Sequence, residues 1–382
     1  MKVVKKVSAK EKLSPFLKWA GGKEQELIHI IPNMPKGYKR YLEPFVGGGA
    51  VYFSINKETM LINDKSYELI NLYKMIKEGN KEFYNKIEGI YHNWGVLQRI
   101  VETHSNLFVN KYKDYSNDRI TKNELDDFII AFILRHSNEF NGVLSTSFNI
   151  NIDNFIKEIK KNLIRKTGRM KKIESEKGKL PDKDILDNIE TAFKSAYYMH
   201  FRHLYNNIEE LNISLPFYMA IFYFIREYCY ASMFRYNKSG KFNVPYGGIS
   251  YNRKDFSKKI DYIKSTELKE HLKKTEIYNL DFEEFFKTAK LSEDDFMFLD
   301  PPYDSDFSDY VGMSFTANDQ KRLAKCLYDT EAKFMLVIKN TELIRELYYD
   351  KGFNIIAFDK KYLVSFQNRN DKNAEHLLIT NY

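Results

Sequence analysis

The sequence of 382 residues has little cysteine and no long apolar run, and each absence excludes a class of protein. Two cysteines, Cys229 and Cys326, cannot form a disulfide framework, which favours a reducing cytoplasm. The first residues, "MKVVKKVSAKEKLS", are basic but lack the apolar h-region of a secretory signal. The most apolar window, Leu215 to Ile225, meets Arg226 and Glu227 well short of the roughly 20 residues that span a bilayer. That window predicts a buried helix.

Complete nucleotide-binding motifs are also missing. "KWAGGK", Lys18 to Lys23, has neither the spacing of a phosphate loop nor the Ser or Thr that would hold Mg²⁺, which argues against nucleotide triphosphate hydrolysis. "EPFVGGGA", Glu43 to Ala50, does not follow the G-x-G-x-x-G spacing. Its glycines still let a ligand approach the backbone closely, and a plain tight turn is the alternative. Asp64, which ends "MLIND", is placed to accept both hydroxyls of a ribose.

The composition indicates a globular protein with a basic surface. Apolar residues make up 43% and charged residues 29%, which favours a packed core over disorder. A net charge of +8 and a pI near 8.9 suit a polyanionic partner, although many lysine-rich proteins bind nothing acidic. Aromatic residues, at 15%, permit base stacking, but most of them belong to the core.

The pattern along the chain predicts one α/β domain that is interrupted by a second domain. Residues 1–80 and 275–382 alternate short apolar strands with amphipathic helices, whereas 81–274 are polar and mainly helical in pattern. Because each α/β piece is too small for a full sheet, we expect the two to share one sheet. The middle segment contains a basic run at 157–179, typical of either a solvated helix or a phosphate-facing surface, and a turn-rich hairpin pattern at 235–248.

The stretch "FMFLDPPYDS", Phe296 to Ser305, predicts a buried strand that ends in a rigid turn. Neither proline can donate to a sheet ladder, so the strand stops at Asp300. The Asp300 carboxylate and the Pro301 carbonyl are neighbouring acceptors, and Tyr303 offers an aromatic face. Two acceptors beside a ring match the two hydrogens of an exocyclic amino group on a planar base. A simple strand-ending turn is the alternative.

Six motifs together resemble the Dam-type (class alpha) DNA adenine-N6 methyltransferases, which use S-adenosylmethionine. In chain order they are "FLKWAGGK", "YLEPFVGGGAVYF", "LINDKSYELINLY", "FRYNKSGKFNVPYGG", "NLDFEEFF" and "FLDPPYDSDFSDY". Residues 81–219 depart from the compact family pattern by their length. The resemblance implies an α/β fold in which a Rossmann-like methyltransferase sheet has an antiparallel C-terminal strand. It assigns 1–80 and 275–382 to catalysis and S-adenosylmethionine binding, and 81–274 to an inserted, mainly helical DNA target-recognition domain with a β-hairpin.

The resemblance also implies roles for individual residues. The cofactor is expected to contact Trp19, Gly22, Lys23, Glu43, Pro44, Phe45, Gly47, Asp64, Asp281 and Phe282. The target adenine is expected to lie against Asp300, Pro301, Pro302 and Tyr303. The DNA is expected to contact Tyr230, Met233, Arg235, Asn237, Lys241 and Asn243. Arg235 would read a guanine, while Tyr230 and Met233, in a "YASMF" stretch where compact relatives usually have Asn-Gly, would wedge into the base stack. No residue is expected to bind a metal.

The predicted function is site-specific methylation of N6 of an adenine that is flipped out of duplex DNA. Residues 304–315 are expected to form a lid over the site. The alternatives are a cytosine-N4 methyltransferase, a DNA-binding relative without catalysis, and an enzyme that modifies RNA or a protein glutamine. We expect a monomer in the cytoplasm of a bacterial or phage-like system, at the nucleoid, away from membranes. It would act beside a cognate restriction endonuclease without binding it, or alone; GATC is one candidate target.

Overall fold

The computed structural model describes residues 13–19, 21–143, 150–302, 315–361 and 373–382. In chain order the helices are α1 (Leu27–Ile30), α2 (Tyr67–Glu78), α3 (Lys81–Thr103), α4 (Ser105–Ser116), α5 (Lys122–Arg135), α6 (Ser137–Val143), α7 (Ile152–Lys177), α8 (Asp182–Tyr205), α9 (Leu215–Tyr228), α10 (Ser257–Lys264), α11 (Thr266–Lys273), α12 (Phe282–Ala289), α13 (Ala317–Tyr328) and α14 (Glu342–Tyr348). The strands are β1 (Arg40–Glu43), β2 (Thr59–Asn63), β3 (Thr275–Tyr278), β4 (Asp295–Leu299), β5 (Lys333–Lys339), β6 (Asn354–Lys361) and β7 (Asn373–Thr380).

These elements form two compact units, one built from residues 1–79 and 262–382 and the other from 80–261. The sequence pattern predicted that the α/β segment resumes at 275. The division falls earlier because α11 packs against α2 and β3, and so belongs to the unit that contains the sheet. The first boundary follows Gly79, whose left-handed backbone ends α2.

The first unit contains a seven-stranded sheet with the order β3-β2-β1-β4-β5-β7-β6. The pairs among β1 to β5 are parallel, whereas β7 runs antiparallel to both β5 and β6. The central strands β4 and β5 read as nearly continuous apolar runs, and Met297, Phe334 and Leu336 are fully buried in them. The α/β fold with a Rossmann-like sheet and an antiparallel C-terminal strand is therefore confirmed.

The strand order reverses between β1 and β4, because β2 and β3 lie on one side of β1 and β4 and β5 on the other. Ligands of open α/β sheets bind outside the carboxyl ends of the strands at such a point. Here those ends carry Glu43 and Asp300. At the opposite ends of the two strands, the Arg40 guanidinium donates two hydrogen bonds to the buried Asp295 carboxylate, at 2.7 and 2.6 Å. This bidentate pair fixes the strands relative to each other.

The second unit is a bundle in which α3, α8 and α9 pack against one another and α7 packs along α8. The apolar window predicted as a buried helix is α9, and almost all of its residues from Phe217 to Tyr228 are buried. Within the ranges that the structure describes, no helix has both the length and the apolar content needed to cross a membrane.

Candidate active site

The turn after β4 places a carboxylate beside a buried lysine. Lys23 is 3% exposed and its ammonium donates to the Asp300 carboxylate, which is 19% exposed, and to the Gly21 carbonyl at 3.0 Å. Pro301 is buried and Pro302 is exposed. Tyr303 and most of the predicted lid, residues 304–314, lie outside the described residues. Lys23 was expected near the cofactor; its contact with Asp300 links it to the turn after β4 as well.

A second carboxyl group, Glu43, lies close to this ion pair. The Tyr41 hydroxyl donates to Glu43 Oε2 at 2.6 Å. Burial raises the pKa of Glu43 well above its usual value, and the negative charge of Asp300 raises it further, against the lowering effects of Tyr41 and Lys23. Burial thus favours the neutral form of Glu43. Lys23 and Asp300 form the ion pair beside it.

The glycine turn after β1 is shaped around Trp19. Gly47 has φ +48°, and a Cβ there would lie 2.9 Å from Trp19 Cδ1. Gly49 has φ +76°, and a Cβ there would lie 2.5 Å from the Tyr73 hydroxyl oxygen. Side chains are excluded at both positions by backbone conformation and by space. Gly22, on the segment after Trp19, is exposed, and its N–H donates to the Trp19 carbonyl at 3.3 Å.

Asp64, which follows β2, reaches back to the glycine turn. Its carboxylate accepts hydrogen bonds from Gly47 N at 3.0 Å and from Ser66 N at 2.9 Å. Burial raises the pKa of Asp64, and these backbone donors partly offset that rise. A carboxylate can accept about four hydrogen bonds, so both oxygens keep capacity for hydroxyl donors.

Asn63 fastens two loops of the site together. Its Nδ2 donates to the Pro44 carbonyl at 3.0 Å and to the Leu280 carbonyl at 3.1 Å, and its Oδ1 accepts from Leu280 N at 2.9 Å. The side chain is 2% exposed. Pro44 is buried, so it contributes to the site through its backbone carbonyl and its fixed φ angle and not through an exposed side chain. This amide was not predicted, although it lies inside a motif that carries the family resemblance.

The predicted adenine-ring contacts, Asp281 and Phe282, lie where α12 begins. Asp281 caps the helix by accepting from Glu283 N at 3.1 Å, and it accepts from Arg322 at 2.7 Å. Phe282 is buried against Phe45, with ring centroids 5.7 Å apart. Phe315 contacts both rings, at 5.7 and 5.8 Å, and the Arg322 guanidinium lies 4.8 Å from the Phe282 ring centroid. Together these groups form an aromatic floor, with Phe45 half-buried.

Two residues of α13 at this site were missed by sequence reasoning. Arg322 pairs with three carboxylates, those of Asp281, Glu283 and Asp319. Gln320 donates to the Pro302 carbonyl at 3.0 Å. Both belong to the stretch "NDQKRLAKCLYD", which shows only a helical pattern in the sequence, so no local signal connects them with the site.

The predicted hairpin lies in the second unit and is held by two isolated antiparallel bridges, Cys229 to Tyr246 and Tyr236 to Phe242. Asn206, the residue that follows α8, anchors it. Asn206 Nδ2 donates to the Phe242 carbonyl at 2.9 Å, and Asn206 Oδ1 accepts from Phe242 N at 2.8 Å. The hairpin is therefore fixed by side chains of the bundle more than by its own ladder.

The hairpin presents most of the predicted DNA contacts to solvent. The exposed ones are Tyr230, Arg235, Asn237, Lys241 and Asn243, and Met233 is half-buried. Asn237 Oδ1 accepts from Ser239 N at 3.1 Å and from Lys241 N at 2.9 Å, so its oxygen shapes the turn. Ala231 and Ser232 have φ +52° and +54°, a conformation that the Asn-Gly pair of compact relatives would adopt at lower cost.

The basic run lies mostly on α7, and many of its charges are paired within the unit. The lysines that form ion pairs are Lys160, Lys161, Lys171, Lys172 and Lys179. Lys157, Arg169 and Lys177 are exposed and form no ion pair with any residue that the structure describes. These three are the best candidates of the run for contacts with phosphate.

One group of side chains in the second unit has the donor types of a metal site. The ligand atoms of His104, His136 and Glu139 lie within 4.8 Å of one another. Glu139 Oε1 is 3.1 Å from His104 Nε2 and 2.8 Å from His136 Nδ1, so the three groups also satisfy one another by hydrogen bonding.

Comparison with known proteins places the chain in a family. The model of the D12 class N6 adenine-specific DNA methyltransferases matches residues 19–186 and 154–364. The type II methyltransferase M.CviBI of Paramecium bursaria Chlorella virus NC1A is 27% identical over 97% of this chain and 100% of its own length. M.MjaIII of Methanocaldococcus jannaschii is 27% identical over 97% and 99%.

A DNA adenine methylase of Vibrio cholerae is 22% identical over 92% of this chain and 90% of its own length. The adenine-specific family confirms the predicted enzyme class, and it sets aside the cytosine, RNA and glutamine alternatives. The strand order that reverses between β1 and β4, with the glycine turn and Asp300 at the carboxyl ends of these two parallel strands, agrees with the match. The chain belongs to the D12 class N6 adenine-specific DNA methyltransferases.

Proposed function

We propose that this enzyme transfers a methyl group from S-adenosylmethionine to N6 of an adenine flipped out of duplex DNA. One observation carries the proposal. The Asp300 turn, the glycine turn and Asp64 meet at the carboxyl ends of adjacent strands, within a single compact unit. An amino-group acceptor and a nucleoside cradle at one sheet edge are the two parts that this reaction requires.

The residues of the cradle fit the cofactor. Asp64 would accept the ribose hydroxyls, and the aromatic floor of Phe45, Phe282 and Phe315 would lie against the adenine ring. Trp19 and the tight turn at Gly47 would bound the methionine end. When bound, S-adenosylmethionine supplies an electrophilic methyl group on a positively charged sulfur.

The roles proposed for the target-base residues follow from their donors and acceptors. Asp300 and the Pro301 carbonyl would accept the two hydrogens of the adenine amino group, and Tyr303 would stack on the base. Positive charge that develops on N6 during transfer is stabilised by the Asp300 carboxylate. Lys23 holds that carboxylate in place through the ion pair. Because the amine becomes acidic only as the methyl group arrives, the chain needs to position the nitrogen more than to deprotonate it.

The second unit would hold the duplex and read its sequence. The exposed Arg235, Asn243 and Lys241 of the hairpin carry the donors that recognise base edges and phosphates. Tyr230, 51% exposed, would fill the space that the flipped base leaves. Flipping costs a few kcal/mol, which such contacts offset.

A role beside a restriction endonuclease is the biological setting we propose, because M.CviBI and M.MjaIII are named type II methyltransferases. Genomic DNA from a host that expresses this chain would then resist one restriction enzyme whose site contains the methylated adenine. Sensitivity to every enzyme that cuts at the methylated sequence would contradict this setting and leave the chemistry intact.

The transfer itself is tested with purified protein, tritium-labelled S-adenosylmethionine and genomic DNA that lacks methylated bases. We expect N6-methyladenine as the labelled nucleoside after digestion, at one sequence that methylation-sensitive sequencing identifies. Label on cytosine N4, or no label from protein that demonstrably binds the cofactor, would overturn the proposal. A protein with Asp300→Ala, assayed in parallel, controls for a contaminating methyltransferase.

A further inference from the structure

The buried amide of Gln320 touches the turn that follows β4. Its Nε2 donates to the Pro302 carbonyl oxygen at 3.0 Å, and the side chain has 0% exposure. Among the residues that the structure describes, its Oε1 is buried and has no hydrogen-bond partner. Burying a polar group that is satisfied on one side only costs stability. An apolar side chain would pack here at lower cost, so the amide calls for a functional reason.

The proline pair explains why a donor is needed from outside the turn. Pro301 and Pro302 have no backbone N–H, and their rings fix φ, so only rotation about ψ remains free. The orientation of the Pro302 carbonyl reports that rotation. A hydrogen bond to this carbonyl therefore restrains the turn that carries the acceptors at Asp300 and Pro301.

Gln320 is well placed to act as such a restraint, because its helix is firmly anchored. Thr316 and Asp319 form a capping box at the start of α13, and Gln320 N donates to the Thr316 carbonyl at 3.0 Å. Leu323 and Leu327, on the buried face of the same helix, pack into the core beside the sheet. The amide thus projects from a rigid support.

The same helix also holds the opposite side of the site. Arg322 donates to Asp281 at 2.7 Å and to Asp319 at 2.8 Å, and its guanidinium covers Phe282. Helix α13 therefore contacts the target-base turn through Gln320 and the start of α12 through Arg322. Methyl transfer requires the attacking nitrogen and the donor carbon to be aligned, and one rigid helix that contacts both sides can fix that alignment.

We propose that Gln320 is a positioning residue for methyl transfer: its hydrogen bond to Pro302 fixes the target-base turn relative to the cofactor cradle. The inference rests on the roles proposed above for Asp300 and Pro301. Gln320 itself touches neither substrate nor cofactor. It acts through the Pro302 carbonyl, and its loss should slow the chemical step without weakening the binding of either ligand.

The test is Gln320→Met, which keeps the length of the side chain and removes both polar atoms. The expected result is a single-turnover methylation rate lower by about 10- to 100-fold, since misplacement of a reacting group by about 1 Å costs up to about 100-fold. The dissociation constants for S-adenosylmethionine and for target DNA should stay within about twofold of wild type. The melting temperature should be unchanged or higher, because a half-satisfied buried amide is gone.

Leu323→Ala is the matched control on the same helix. It should lower the melting temperature and leave the single-turnover rate intact at temperatures where the protein is folded. Gln320→Leu is a second variant without polar atoms and should repeat the result of Gln320→Met. A rate within about twofold of an active wild type in either Gln320 variant overturns the inference alone. A fall in cofactor affinity that matches the fall in rate also overturns the inference. If the wild-type protein transfers no methyl group, the proposed function and this inference are overturned together.

Discussion

Substitutions of Asp300 test two roles of this carboxylate, one in stability and one proposed for catalysis. The side chain pairs with Lys23, which is 3% exposed, and it is the proposed acceptor for the amino group of the target adenine. Asp300→Ala removes both functions. Asp300→Asn keeps one oxygen as an acceptor but removes the negative charge, so it should fall between wild type and the alanine variant.

The size of each effect follows from the kind of interaction that is lost. Removing one preorganised group that stabilises charge in a transition state costs about 2.7–4 kcal/mol, or about 10²- to 10³-fold in rate. Removing one member of a buried ion pair destabilises a fold by about 3–5 kcal/mol. We expect about 3 kcal/mol, the lower end, because Asp300 keeps 19% of its surface exposed and water can partly solvate Lys23 from that side.

The assay is single-turnover transfer to a duplex that contains the target site, measured well below the melting temperature of each variant. Thermal unfolding of Asp300→Ala, of Lys23→Met and of the double variant completes a double-mutant cycle. The double variant should be more stable than the sum of the single effects predicts, by about 1–3 kcal/mol, because no unpaired ammonium is left buried. A rate for folded Asp300→Ala within a few-fold of wild type would refute the catalytic role, and strict additivity would refute the ion pair.

Three further outcomes are expected. Glu43→Gln should keep activity within a few-fold, since burial raises the pKa of Glu43 well above its usual value and favours its neutral form. A buried carboxyl group with a raised pKa makes the folded protein less stable as the pH rises above about 4.5, so the stability advantage of the Gln variant in thermal unfolding should grow with pH. Curves of stability against pH that run parallel for the two proteins would contradict this. Arg235→Ala should weaken discrimination at one base pair by about 1–3 kcal/mol in competition with variant duplexes, and unchanged discrimination at every position would exclude it as a base reader. Arg169→Ala should reduce the slope of log DNA affinity against log salt concentration by about 1. Lys171→Ala should leave the slope unchanged, because the ammonium of Lys171 pairs with Asp118 in the wild type. If both variants have the same slope, α7 does not contribute to the phosphate-binding surface.

The sheet was predictable because its strands are apolar and its turns carry strong local signals. The strand before Asp300 is fully buried, and the antiparallel C-terminal strand that the family resemblance implies is β7, which pairs with β5 and β6. The boundary between the two units at residue 262 was not predictable from such local signals. Helix α11 has an amphipathic pattern like the helices of the second unit, and only its packing against α2 and β3 assigns it to the first.

Site residues that belong to a sequence motif were predictable. Site residues that reach the site only through contacts between distant parts of the chain were not. Asp64 ends a strand beside a glycine turn, and the structure joins the two by a hydrogen bond. Lys23 and Asp300 are far apart in the sequence, and nothing local reports their ion pair. Gln320 and Arg322 are polar residues of an ordinary amphipathic helix until the fold brings α13 to the site.

The charges around Lys23 also bear on why the proposed catalytic turn follows a central strand. Lys23 offers one positive charge to two neighbouring carboxyl groups, and a second ionised carboxylate would leave a net negative charge in a poorly solvated place. Burial raises the pKa of Glu43 and favours its neutral form, although the hydrogen bond from the Tyr41 hydroxyl acts the other way, and Asp300 is the more exposed of the two carboxyl groups. Burial at the end of β1 thus disfavours a negative charge on Glu43, while the proline turn holds Asp300, the proposed acceptor of the adenine amino group, beside the Lys23 ammonium.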